Sequence, residues 1–166
     1  MKRLVAAGIA FGLFTIATSA GAQAYVYGAT TELMGGVQSA STDGSPGLSR
    51  ASTTLRVGAD AYVDERPSSI LGVSALLALE PRPFAGFDVR YLHRLNDRLF
   101  AGAGGVGYVL PQSMFGATAE LTYRKSLGTG ALVAGPHLSA FLQGSALPED
   151  TVVWQALLRV GYRFDL

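Results

Sequence analysis

Apolar and polar residues alternate along most of the chain. In the final stretch, Thr151–Leu166, every second residue from Val152 to Leu166 is apolar, and most of the residues between them are polar. A period of two is typical of a β-strand with one apolar and one polar face. The same alternation recurs upstream, between segments rich in Gly, Pro, Asn, Asp and Ser, which favour turns. The pattern therefore predicts an all-β protein.

Eight strands are predicted, each close to the ~10 residues with which a tilted strand crosses a bilayer. Their ranges are Tyr25–Gln38, Arg50–Asp64, Ile70–Leu79, Phe84–His93, Arg98–Leu110, Met114–Arg124, Ala131–Gln143 and Thr151–Leu166. Residues 39–49 are predicted to form the longest loop and residues 125–130 a turn. The fifth strand is rich in glycine, so its inward and outward faces are weakly specified. An even number of strands places both chain ends on one side.

The beginning of the chain has a different pattern. A basic start, Met1-Lys2-Arg3, precedes an apolar run from Leu4 to Ile16 and small residues that end in Ala22-Gln23-Ala24. This is the pattern of a secretory signal peptide. Cleavage is expected after Ala24, and the triplet 20–22 is a second candidate. A membrane anchor is the alternative, but the run is shorter than the ~20 residues that a spanning helix needs. We expect a signal peptide at 1–24 and one domain at 25–166.

Composition narrows the class of protein. Charged residues make up 15% of the chain, against about 25% in a typical soluble domain, and basic and acidic residues nearly balance, which argues against a nucleic-acid binder. The absence of cysteine excludes disulfides and thiolate metal sites. An exported, apolar chain with no ordinary spanning helix after the signal favours a closed antiparallel up-and-down transmembrane β-barrel of an outer membrane. A soluble lipocalin-like barrel would need a more polar outer face.

Strand direction sorts the aromatic residues into two groups. Those predicted at the end that holds both chain termini are Tyr25, Tyr27, Tyr91, Tyr123, Tyr162 and Phe164, and those near the opposite end are Phe87, Phe115 and Trp154. Two aromatic belts, one at each membrane interface, are typical of outer-membrane barrels, whose termini face the periplasm.

The polar face carries isolated charges in the middle of the strands. They are Glu32, Arg56, Asp60, Asp88, Arg90, Glu120 and Arg159. Glu32 and Arg56 are equally far from the centre of the first loop, so a symmetric hairpin places them opposite each other, and barrel closure brings Arg159 beside Glu32. We interpret the set as a salt-bridge network that neutralises buried charges in the lumen. A gated path for ions or protons is the alternative, although eight strands enclose too narrow a lumen for an open pore.

The predicted barrel resembles, over its whole length, the small eight-stranded outer-membrane barrels of the OmpA transmembrane domain, OmpX and OmpW type. The most specific part is Arg159-x-Gly161-x-x-Phe164-x-Leu166. It is similar to the C-terminal signal that the barrel-assembly machinery reads, with Leu166 in place of the commoner Phe. The resemblance implies a location in the cell outer membrane. It concerns architecture and specifies no activity.

His137 and Ser139 share one face of the seventh strand, and Glu149 follows in the next loop. The pair resembles the His-x-Ser pair of lipid A deacylases, in which a histidine base activates a serine nucleophile. However, Ala140 stands where those enzymes have Asn, and the alternation directs both side chains into the lumen rather than towards lipid. We therefore expect no catalysis. His93 and His137 lie on different strands without ligand spacing, so neither a metal nor another cofactor is expected.

Together these patterns predict a monomeric barrel in the outer membrane of a Gram-negative cell, structural or surface-interacting, with a plugged lumen. Its expected partners are outer-membrane lipid and lipopolysaccharide, and the barrel-assembly machinery during insertion. A lipid A-modifying hydrolase and a narrow, porin-like channel are the alternatives.

Overall fold

The computed structural model describes residues 27–42, 45–63, 68–147 and 149–166 of the chain. It contains the strands β1 (Tyr27–Thr42), β2 (Ser45–Tyr62), β3 (Ser69–Glu80), β4 (Phe84–Arg94), β5 (Leu99–Leu110), β6 (Met114–Leu127), β7 (Gly130–Gln143) and β8 (Thr151–Asp165). Each strand pairs with the next, and antiparallel pairing of β8 with β1 closes the barrel. The predicted eight-stranded all-β fold is confirmed. The predicted signal peptide and Tyr25 lie outside the described residues.

Two predicted connections are wrong. Residues 39–49 were expected to form a loop, but the β1–β2 ladder continues through a bulge to the pair Thr42–Ser45. The segment 125–130 was expected to be a turn, but β6 runs on to Leu127. Gly128 has a φ of 61°, a left-handed conformation that glycine adopts at little cost, so the chain reverses over two residues. Polar residues continue both ladders because a strand that leaves the apolar belt no longer needs an apolar face.

The apolar face of the strands lies on the outside of the barrel. Leu158 is 71% exposed, Leu33 51% and Val57 48%. The other face points inward, where Arg56 is 0% exposed and Glu32 2%. This is the reverse of a soluble barrel, in which the apolar face fills the core. Among the described residues, no helix is long and apolar enough to cross a membrane.

Aromatic residues form two outward-facing groups. We call the end where β1 begins and β8 ends the proximal end, and the opposite end the distal end. Exposed aromatic residues lie in the proximal part of the strands at Tyr27, Tyr91, Tyr123 and Phe164, and in the distal part at Phe87, Phe115 and Trp154. This distribution agrees with the prediction from strand direction.

The structure assigns the inward and outward faces of β5, which its glycine-rich sequence specified only weakly. Phe100 and Tyr108 point inward, being 4% and 2% exposed. A Cβ on Gly104 would lie 2.1 Å from the carbonyl oxygen of Val89, so only glycine fits where β4 approaches. On the outer face, the rings of Phe87 and Phe115 approach Gly107. The weak alternation of β5 therefore reflects close approach of its neighbours.

Candidate functional site

The barrel interior has three layers of side chains. The central charge cluster consists of Glu32, Arg56, Asp88, Arg90, Glu120 and Arg159. Distal to it is an apolar layer of Met34, Leu76, Ala78, Val106, Tyr108, Met114, Phe141, Val153 and Leu157. Proximal to it is a second polar group, Asp60, Arg124, Arg163 and Asp165, beside a small apolar cluster of Ile70, Leu92 and Phe100.

Arg56 is the hub of the central charge cluster. The register places it directly opposite Glu32, and its Nη2 donates to Glu32 Oε2 at 2.5 Å. Its Nη1 donates to Asp88 Oδ2 at 3.0 Å and to Glu120 Oε2 at 3.1 Å. One guanidinium thus contacts three carboxylates from three different strands, an arrangement that the five fixed N–H donors of arginine favour.

Arg159 joins the cluster across the seam between β1 and β8. Its Nη1 donates to Glu32 Oε2 at 3.0 Å and lies 3.4 Å from Glu120 Oε2. Its Nη2 donates to Thr122 Oγ1. The contact with Glu32 is diagonal, because Glu32 itself pairs with Gly161. Arg159 therefore links the last strand to the first.

Arg90 completes the charge balance at longer range. Its nitrogens lie 3.8 Å from Glu32, 4.0 Å from Asp88 and 3.9 Å from Glu120. Three carboxylates thus face three guanidinium groups, and all six side chains are at most 2% exposed. Such pairing offsets much of the large cost of burying each charge alone.

The structure separates Asp60 from the other predicted lumen charges. Asp60 accepts a hydrogen bond from Arg163 Nε at 2.8 Å and lies 3.5 Å from Arg124 Nη2. The Arg124 guanidinium stacks 4.6 Å from the Phe100 ring centroid, and that of Arg163 lies 5.7 Å from the ring of Tyr62. Sequence reasoning missed both arginines, although Arg163 shares the inward phase of Arg159.

His137 and Ser139 lie inside the barrel, each 3% exposed. Ser139 Oγ is 3.0 Å from His137 Nε2, and His137 Nδ1 is 3.3 Å from Glu120 Oε2. Glu120 lies directly opposite His137 in the β6–β7 ladder and occupies the position that the sequence reading gave to Glu149, which is exposed in the β7–β8 loop. The three side chains have the connectivity of a nucleophile, base and orienting acid, but Glu120 also contacts Arg56 and Arg159.

The apolar layer fills the lumen on the distal side of these charges. Phe141 is fully buried, and its ring centroid is 5.5 Å from that of Tyr108, which lies 5.8 Å from Phe84. Sequence reasoning missed this layer because it treated the inward phase as uniformly polar. The signal was available, because Met34, Val153 and Leu157 are apolar residues in the inward phase of their strands.

The C-terminal residues expected to form an assembly signal have different environments. Arg159 is buried in the central charge cluster, and Gly161 packs against Glu32. Phe164 and Leu166 are exposed on the barrel surface, at 48% and 73%. The backbone N–H of Leu166 donates to the carbonyl of Tyr27 at 2.9 Å, so the end of the chain is fixed to the start of β1.

The two histidines lie far apart in the barrel. His93 is exposed on β4 and lies 3.5 Å from Ser69 Oγ, whereas His137 is in the lumen. Among the described residues, no three histidine, aspartate or glutamate side chains form a group that could hold a metal ion.

No protein-family model and no curated protein sequence matches the chain. Solved structures do share its fold. Neisserial surface protein A (NspA) gives a TM-score of 0.58 at 12% identity, covering 89% of this chain and 100% of NspA. Ail, the attachment invasion locus protein of Yersinia pestis, solved in complex with the heparin analogue sucrose octasulfate, gives a TM-score of 0.50 at 12% identity, covering 84% of this chain and 99% of Ail. The chain has the fold of small outer-membrane β-barrels. At this identity the similarity concerns the fold alone.

Proposed function

We propose that the protein is an integral outer-membrane β-barrel of a Gram-negative cell, non-enzymatic, with a structural or surface-interacting role. The observation that carries this proposal is the exposed apolar belt: large apolar side chains such as Leu33, Leu138 and Leu158 are more than half exposed, while the charged residues in the middle of the strands lie inside. In water such a surface would promote aggregation. In a bilayer it is the lipid-facing surface, and closure of the barrel satisfies the backbone hydrogen bonds.

The side chains that fill the lumen argue against transport through the barrel. The charge-balanced central cluster and the apolar layer lie one above the other along the barrel axis. An ion would have to displace paired arginines and then cross a layer of mostly apolar side chains. We therefore propose a plugged lumen. Single-channel recording in planar bilayers tests this proposal: we expect no conductance steps at any voltage, and reproducible steps from the purified barrel would favour the narrow channel.

A surface role is supported by precedent and by the C-terminal sequence. Ail is an attachment protein crystallised with a sulfated heparin analogue, so a barrel of this fold can present a ligand-binding surface. The last residues resemble those of the OmpA, OmpX and OmpW type. We propose the same route of insertion, by the barrel-assembly machinery, into a membrane of lipid and lipopolysaccharide, as a monomer.

Membrane insertion can be tested by heat-modifiable mobility. After detergent extraction of the outer-membrane fraction, the unheated barrel should migrate faster on a gel than the boiled chain, because a closed barrel resists the detergent. A chain recovered in the soluble periplasmic fraction, with one mobility at all temperatures, would contradict the proposal.

A lipid A-modifying hydrolase is the second candidate, because Ser139, His137 and Glu120 are linked by two short contacts. Burial argues against it, since a lipid acyl group on the outer surface would not reach a lumen serine. Mass spectrometry of lipid A from cells with the wild-type protein, the Ser139→Ala variant or neither would decide. We expect identical lipid A in all three. Loss of acyl chains that depends on Ser139 would establish the hydrolase.

A further inference from the structure

A cavity opens at the distal mouth of the barrel, above the apolar layer. It has a volume of about 430 Å³, within the range of small-molecule sites. We call it the distal cup. Its apolar lining includes Phe84, Met114, Leu147 and Val153, and its charged lining residues are Arg50 and Arg82. Below it, Tyr108 and Phe141 belong to the same apolar cluster as the lining residues and close the cup towards the central charges.

The polar groups of the cup divide into paired and free. The Gln38 side chain accepts a hydrogen bond from Gln155 at 2.8 Å, and the Thr42 hydroxyl lies 3.0 Å from that of Thr151. Among the described residues, neither Arg50 nor Arg82 forms an ion pair. Both side chains are exposed, and the described lining contains no carboxylate; Glu149 and Asp150 line a separate depression beside it. Two positive charges with no ion-pair partner among the described residues thus line a cup that has an apolar floor.

We propose that the distal cup binds a medium-chain fatty acid, with its acyl chain on the apolar floor and its carboxylate at Arg50 and Arg82. A wholly polar anion would fit the cup less well, because it would leave the apolar floor exposed to water. The wall from Gln38 to Thr42 rises about 9 Å for strands tilted near 45°, which suits a chain of intermediate length. Arginine favours a carboxylate because its fork donates two parallel hydrogen bonds.

Calorimetric titration of the barrel in phosphatidylcholine nanodiscs tests this proposal, with decanoate as the probe and empty nanodiscs as the reference for partition into lipid. We expect saturable binding of one decanoate per barrel. The double variant R50Q/R82Q should weaken it roughly tenfold, as expected for two exposed charge contacts. The matched variant R98Q/K125Q removes the same charge at the proximal end and should leave affinity unchanged. The uncharged analogue 1-decanol should bind more weakly and show no dependence on the arginines.

A variant that fills the cup distinguishes binding in the cup from partition into the bilayer. Ala146 lines the cup and packs on the apolar layer, so Ala146→Phe should abolish binding of both probes while heat-modifiable mobility shows that the barrel is intact. Binding that equals partition into empty nanodiscs would overturn the proposal. So would decanoate binding that is insensitive to A146F or to R50Q/R82Q. None of these outcomes bears on whether the barrel resides in a membrane.

Discussion

Arg56 is the single residue that connects most of the charged side chains at the centre of the barrel. Its guanidinium contacts carboxylates on β1, β4 and β6 within 2.5 to 3.1 Å, so one side chain ties together strands that share no ladder. Breaking a buried ion pair by removing one partner leaves uncompensated charge and costs far more than the pair contributes net. The cluster is therefore sensitive to loss of any one arginine.

The first prediction follows from this sensitivity. Arg56→Met should lower the free energy of unfolding by about 3–5 kcal/mol, because three buried carboxylates lose their shared donor. Urea unfolding in lipid vesicles, followed by far-UV circular dichroism, measures the change. The exposed Arg98→Met should alter it by less than about 0.5 kcal/mol. Equal, small effects of both substitutions would show that the cluster does not stabilise the fold.

Some of these contacts could be predicted from sequence and others could not. Glu32 faces Arg56 because both flank one hairpin at equal distance, which is a local property of the chain. The contact between His137 and Glu120 depends on the register of β6 with β7, which is set by the turn that follows the pair Leu127–Gly130. The predicted turn at 125–130 centres the hairpin one residue earlier, which would place Glu120 opposite Gly135. Since side chains two residues apart share a face, such an error changes the partner of Glu120 without changing its face.

Among the strand pairs, β1 with β8 is the one that closes the barrel, and we call this pair the seam. It spans fifteen paired positions, from Gly28–Asp165 to Thr42–Thr151. Gly161 lies where the two strands approach closely: a Cβ there would be 2.2 Å from the carbonyl oxygen of Thr31 and 2.7 Å from the Cα of Glu32. Gly35, on the outer face of the same seam, has no atom within 4 Å of its Cβ position.

These two glycines give a matched pair of substitutions. Gly161→Val should destabilise the barrel by about 1–3 kcal/mol, because the neighbouring backbone cannot move away. Gly35→Val should leave stability unchanged or raise it by up to about 1 kcal/mol, since valine favours a strand more than glycine does. The fraction refolded into lipid vesicles, read from heat-modifiable mobility, measures both. A barrel that tolerates valine equally at both sites would argue against the close seam.

The exposed end of β8 leads to a third prediction, which separates assembly from stability. The double substitution F164S/L166S should reduce the amount of barrel in the outer membrane of cells, because both side chains belong to the expected assembly signal. It should reduce refolding in vitro less than assembly in cells, since both side chains are exposed on the outer face; the losses in vitro are apolar contact with lipid and the contact of the Phe164 ring with that of Tyr162. Membrane fractionation and refolding yield provide the two readouts. Equal losses in the membrane fraction and in the refolding yield would show that these residues contribute to stability alone.

The sequence predicted the strands of the belt better than their ends. Within the belt, lipid on one side and charges on the other enforce strict alternation. Distal to it, Ser39–Thr42 and Ser45–Ser49 continue the ladder with a sequence rich in serine and containing glycine and proline. Their composition matches that of a loop, so only the ladder hydrogen bonds identify them as strand.

The whole barrel reverses the usual arrangement of a globular protein, with apolar side chains outside and charged side chains inside. Its exterior is apolar and bounded by two aromatic groups, and its interior changes along the axis from an apolar distal layer to a charged centre and a charged proximal group. A central cluster with three positive and three negative side chains carries no net charge. We expect this outer face to contact lipid.

Trp154 reports directly on the contact between the outer face and lipid. It is the only tryptophan in the chain and is 54% exposed on the outer face near the distal end. The barrel would be refolded into vesicles of phosphatidylcholine brominated along its acyl chains, and tryptophan fluorescence would be compared with that in unbrominated vesicles. We predict strong quenching by the brominated lipid and little quenching by aqueous acrylamide. Quenching by acrylamide with no effect of bromine would instead place the outer face in water.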